Sequence, residues 1–176
     1  MKIVAVSIAF IFLSATGYAQ KISFPSLSEK IYKKNGEHND KYTFKLNAYK
    51  RDARDRVYLN DSASFLRNKI DTLYIMEGYN IETGIFYGTI WDKKQSVSYS
   101  YFRKQLAIQN HSVFTDYQLS LVTKWDITSI RKEEEVNGGW LDNNLFINAL
   151  RCYRIGGDWQ IDEISFKNFY DSKRDH

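Results

Sequence analysis

The sequence predicts an α+β domain: a mostly antiparallel sheet of about five strands, one long helix packed on it, and a helix-rich N-terminal part. Three observations predict this. Residues 71–104 read as a three-stranded meander, residues 145–169 as a closing hairpin around Gly156-Gly157, and residues 115–136 between them carry a helical apolar arc.

The meander is dense in Tyr, Phe, Trp, Ile, Val and Thr between turn-prone clusters. With Asp92–Gln95 as its second loop, Trp91 faces Ser96, Ile90 faces Val97, Gly88 faces Tyr99 and Phe86 faces Tyr101. Alternation then puts Phe86, Gly88, Ile90, Val97, Tyr99 and Tyr101 on one face. A tyrosine ring opposite glycine covers bare backbone. With Tyr79–Glu82 as the first loop, Leu73 and Ile75 join this face, which reads as core. The other face carries Tyr74, Met76, Ile85, Tyr87, Thr89, Trp91 and Phe102, beside Ser96, Ser98 and Ser100. It is too aromatic for plain surface and too hydroxylated for plain core. Two readings fit: a second core beneath other elements, or a groove for a glycan, peptide or protein partner. In the second, Tyr74, Tyr87, Trp91 and Phe102 are the ligand-binding candidates, and Trp91→Ala should fold normally and lose binding.

Thr115 or Asp116 can cap a helix running to about Val136, with Leu119, Leu121, Val122, Trp125, Ile130 and Val136 in its apolar arc and Gly138-Gly139 as its stop. Glu133, Glu134 and Glu135 are consecutive, so about 100° separates their directions and they do not converge on one ion. In the closing hairpin a two-glycine loop sets Cys152 against Ile161, Arg151 against Asp162, Ala149 against Ile164 and Ile147 against Phe166. A loop of Gly156–Asp158 would move Arg151 to Glu163, and Leu145–Leu150 also fits a short helix.

In the N-terminal part, Ser26 and Glu29 stand at capping-box spacing before a short helix from Leu27 to about Lys34, docked by Leu27 and Ile31. Residues 41–59 fit two periods. Tyr42, Phe44, Leu46 and Ala48 alternate as in a strand, whereas Tyr42, Leu46, Tyr49, Ala53 and Val57 follow helical spacing. The helix covers more residues and pairs Arg51 with Asp55 and Asp52 with Arg56. Six basic and two acidic residues between 41 and 56 read as a solvated, salt-bridged face, with a basic patch as the alternative. Ser64–Lys69 fits a further short helix, and Gln105–Ser112 reads as a connection.

Residues 1–19 have the form of a secretory signal. Lys2 precedes an apolar run from Ile3 to Leu13, and Gly17 and Ala19 lie at −3 and −1 of a cleavage site. The expected organisation is a signal peptide over 1–19 and one α+β domain over 20–176, exported to the periplasm or exterior of a bacterial cell, with no later spanning segment. Cys152, the lone cysteine, excludes an internal disulfide and reads as a buried, inert thiol. A net charge of +4 is mild, and export argues against a nucleic-acid partner.

The sequence lacks a phosphate-cradling loop, a G-x-S-x-G elbow, an H-E-x-x-H pair, Cys/His metal spacing and an EF-hand loop. No cofactor and no metal are expected. The reading is a non-enzymatic binding or interaction domain of the bacterial envelope. The alternative is a small secreted hydrolase using carboxylates or a His111–Asp116 pair. An inhibitor that occludes a partner's active site is a third reading.

Overall fold

The computed structural model of the protein describes residues 24–35, 41–80, 82–136 and 144–165. The expected signal peptide, the Gly138-Gly139 stop and Phe166 lie outside these residues. The architecture is α+β, with a six-stranded antiparallel sheet covered by helices on both faces. The strands are β1 (Thr72–Asn80), β2 (Phe86–Trp91), β3 (Ser96–Phe102), β4 (Gln105–Gln109), β5 (Asn144–Ile155) and β6 (Asp158–Ser165), in the spatial order β4-β3-β2-β1-β5-β6.

On one face lie α1 (Phe24–Asn35), α2 (Lys41–Leu59) and a 3-10 helix (Asp61–Arg67). Leu27, Ile31, Ala53, Val57 and Phe65 pack there on Leu73, Ile75, Phe86, Ile90, Tyr99, Leu150 and Cys152. Residues 41–59 are thus helical, because the 3.6-residue stripe has a sheet face to bury against. Pro25 is tolerated in the first turn of α1, where no intrahelical donor is needed. Ser26 lies inside this helix, and Glu29 pairs with Arg51 at 2.6 Å.

The β2–β3 register is the one expected, Gly88 opposite Tyr99 and Ile90 opposite Val97. The first loop comes two residues later than Tyr79–Glu82. β1 continues to Asn80, whose Oδ1 accepts the Thr83 N–H at 2.8 Å, and Ile75 pairs with Ile90. The slip is an even number of residues, so each side chain keeps its face. The connection expected at Gln105–Ser112 contains a strand. Arg103 and Lys104, both at positive φ, form a two-residue turn into β4. β5 and β6 pair as the two-glycine loop requires, with Cys152 opposite Ile161 and Arg151 opposite Asp162.

The single long helix is in fact two, α3 (Asp116–Lys124) and α4 (Ile127–Val136). Thr115 caps α3 in a capping box with Gln118. Trp125 then takes the left-handed conformation, φ 55°, and ends the helix. Asp126 starts the next one, accepting the Ser129 N–H at 3.1 Å and the Ser129 hydroxyl at 2.7 Å. These bonds hold the Asp126 carboxyl below its usual pKa. The break turns Leu121 and Val122 of α3 and Ile130 of α4 onto the same sheet face.

Candidate functional site

The face that carries the binding candidates divides into a covered half and an open half. Tyr74, Tyr87 and Trp91 are 8%, 5% and 7% exposed and pack with Met76, Ala149 and Ile164 beneath α3 and α4. Tyr74 stacks on Trp91 at 5.6 Å, Tyr87 meets Phe114 at 5.5 Å, and Trp91 Nε1 donates to Thr123 Oγ1 at 2.9 Å. Burial pushes the Tyr87 hydroxyl far above its usual pKa. The structure brings these three aromatics together as packing. Of the two readings of this face, this half takes the form of a second core, because α3 and α4 both bring apolar side chains onto it. Phe102 stands apart beside the β3–β4 turn, 36% exposed, with the Arg103 guanidinium 4.8 Å above its ring.

The hydroxyl half of the face opens into a pocket of about 470 Å³. Thr89, Ser96 and Ser98 form its floor, Gln109, Asn110, His111 and Ser112 one wall, and the start of α3 with Phe114, Thr115, Asp116 and Leu119 the other. Three hydroxyls from three segments are bonded in series: Ser98 Oγ to Thr89 Oγ1 at 3.0 Å, and Thr89 Oγ1 to Ser112 Oγ at 2.7 Å. Ser112 Oγ also accepts the Phe114 N–H at 3.0 Å, which fixes the loop entering α3. Among the lining residues the ionisable side chains are His111 and Asp116, both exposed. No hydrogen bond or ion pair joins them among the described residues. Beside these two the pocket offers the hydroxyl groups of Thr89, Ser96, Ser98, Ser112 and Thr115 and the amides of Gln109 and Asn110.

The opposite face holds a charged group that sequence reasoning missed. Glu77 is 0% exposed, and Lys50 and Arg54 are each 1% exposed. Arg54 grips Glu77 with two bonds of 2.7 and 2.8 Å, and Lys50 Nζ lies 3.5 Å from Glu77 Oε2. Burial would raise the Glu77 carboxyl, but Arg54 and Lys50 outweigh it and hold the pKa below its usual value. Burial lowers the Lys50 ammonium against the pull of Glu77. Across the sheet Glu77 pairs with Gly88, and Gly88 with Tyr99. A Cβ on Gly88 would lie 2.5–2.9 Å from the Tyr99 phenol, so glycine is what lets that ring cross toward Glu77. A signal was present in the sequence. Glu77 alternates with Leu73 and Ile75 on the core face, and Lys50 and Arg54 follow Leu46 at i+4 and i+8 on the buried stripe. The expected solvated face of α2 is correspondingly smaller: Arg51 and Arg56 pair with Asp55 and Asp52 at the surface, while two of its cations lie in the core.

Cys152 is buried, and burial pushes its thiol up to about 12. Among the described residues no group of three His, Cys, Asp or Glu side chains has the arrangement of a metal site, and no helix is long and apolar enough to cross a membrane. No protein-family model, curated protein or solved structure matches the chain.

Proposed function

We propose that this chain is a non-enzymatic binding domain, exported to the bacterial envelope, whose pocket takes an uncharged polyhydroxyl ligand of the glycan class. The signal-like pattern of residues 1–19 supports export. The observation that carries the ligand class is the lining of the pocket. Five hydroxyls, of Thr89, Ser96, Ser98, Ser112 and Thr115, and two amides, of Gln109 and Asn110, meet the apolar edges of Phe114 and Leu119, and no lysine or arginine is among them. Hydroxyls and amides both donate and accept, which matches sugar hydroxyls and offers a dense anion no charge to meet. Calorimetric titration with a panel of neutral mono- and disaccharides tests this. Saturable binding should be lost in Asn110→Trp, which places a bulky ring at an exposed wall position. Absence of binding across the panel, or full affinity in that variant, overturns the reading.

The presence of His111 and Asp116 in the same pocket favours one competing reading, a glycan hydrolase. Turnover of a bound disaccharide that disappears in His111→Ala would establish it in place of simple binding.

A further inference from the structure

We propose that the free edge of β4 pairs with β4 of a second copy of this chain, antiparallel and two-fold symmetric about Ala107. The sheet has two edges, and they are treated differently. In β6 the two-glycine turn makes Ile155 and Asp158 a hydrogen-bonded pair, so the backbone groups of Trp159, Ile161, Glu163 and Ser165 point away from β5. Three of these outward carbonyls are taken by cations: Trp159 O by Lys30 Nζ, Ile161 O by Lys34 Nζ at 2.6 Å, and Ser165 O by Arg131 Nη1 at 2.9 Å. An edge occupied by lysine and arginine is closed to another strand.

Among the described residues β4 has no such protection. The Arg103-Lys104 turn makes Phe102 and Gln105 a bonded pair, which leaves the N–H and C=O of Leu106 and Ile108 facing outward. Among the described residues no side chain or backbone group bonds to them. The strand contains neither charge nor proline. Its sequence, Gln105-Leu106-Ala107-Ile108-Gln109, is chemically the same read in either direction. Pairing about Ala107 therefore sets Gln105 against Gln109, Leu106 against Ile108, and Ala107 against itself. The outward groups of Leu106 and Ile108 then meet in register, giving four backbone hydrogen bonds. The next pair, Lys104 with Asn110, brings no like charges together. Leu106 and Ile108 are half-buried against the helix-covered core, and the second strand covers what remains of them.

The pairing bears on the pocket. Gln109 lines it, and in this register Gln105 of the partner subunit lies directly beside Gln109. Each pocket then gains an amide from the other copy.

Sedimentation of the purified protein over a dilution series tests the association, and two substitutions at Ala107 test the register. Ala107 is exposed, and its own backbone groups face β3, so both variants keep the fold. Wild type should sediment with twice the mass of one chain. Ala107→Lys, which opposes two ammonium groups across the axis, should sediment as one chain. In Ala107→Cys the two thiols fall at a non-hydrogen-bonded pair, where Cα atoms are about 4.5 Å apart and within disulfide reach. Mild oxidation should convert it to a covalent dimer, whereas Lys93→Cys, on the exposed β2–β3 loop, should form no cross-link. A wild type of single-chain mass at every concentration, an Ala107→Lys protein that remains dimeric, or Ala107→Cys cross-linking no better than Lys93→Cys overturns the proposal.

Discussion

Replacing Glu77 by glutamine removes one charge and almost no volume. Its effect follows from the two cations left behind. Arg54 and Lys50 are each 1% exposed, and Arg54 has both of its short bonds to this carboxylate. Breaking a buried pair by removing one partner costs about 3–5 kcal/mol, because the remaining charge stays desolvated without compensation. For a domain of this size each kcal/mol lowers the melting temperature by about 2–4 °C, so Glu77→Gln should melt about 6–20 °C below wild type. In urea, with a slope of about 2 kcal/mol/M, the midpoint should fall by about 1.5–2.5 M. Replacing Lys50, Arg54 and Glu77 together by methionine should recover most of this loss, since it removes the charges along with their pairing. Circular dichroism and urea titration of the single and triple variants measure both effects. A Glu77→Gln protein within about 1 kcal/mol of wild type would refute the reasoning, for it would mean that the two cations find water or another partner.

Further outcomes follow from the same packing. The stability that Glu77 contributes is full above the unfolded carboxylate pKa and is lost as pH falls through its lowered folded value, so wild type should lose more stability than Glu77→Gln between neutral and acid pH in urea titrations. Gly88→Ala should cost about 1–3 kcal/mol through overlap with the Tyr99 ring, and Tyr99→Leu in the same chain should return part of it, read from paired melting curves. Trp91→Ala should destabilise by about 3–5 kcal/mol, contrary to the intact fold that the groove reading implies, because its indole lies in a closed core and donates to Thr123. Asp126→Ala should cost about 1 kcal/mol by uncapping α4.

Much of this fold is legible in the sequence because its strands are strongly patterned. The second and third strands and the closing hairpin keep their expected pairs, since Asp92–Gln95 and Gly156-Gly157 fix the register at each turn. The first loop was placed too early, yet the even slip left every face intact. β4 was missed because glutamine, alanine and leucine are weak strand signals, and what makes it a strand is the neighbour supplied by β3. The helix break was missed because Trp125 is an unusual residue for a left-handed cap, and the apolar arc resumes beyond it, so that Asp126 reads as an interruption within one helix rather than as the start of a second. The face that carries Tyr74, Tyr87 and Trp91 reads in the sequence as both aromatic and hydroxylated, but its division depends on where α3 lands. Tertiary packing covers Tyr74, Tyr87 and Trp91 and leaves Thr89, Ser96 and Ser98 beside His111 and Asp116, which are far apart in sequence from that floor. The buried Lys50–Glu77–Arg54 group carries a periodic signal that goes unread because charged residues are rarely found inside, so the cations of α2 read as a solvated face.

The central claim, that the pocket between β2, β3 and the start of α3 is where this domain binds, is tested most directly by residue-resolved amide NMR during titration with the neutral disaccharides of the panel. Saturable shifts should concentrate at Ser98, Gln109, Asn110, Ser112 and Thr115 and vanish in Asn110→Trp. Shifts confined to other parts of the chain, or none at saturating sugar, would contradict it.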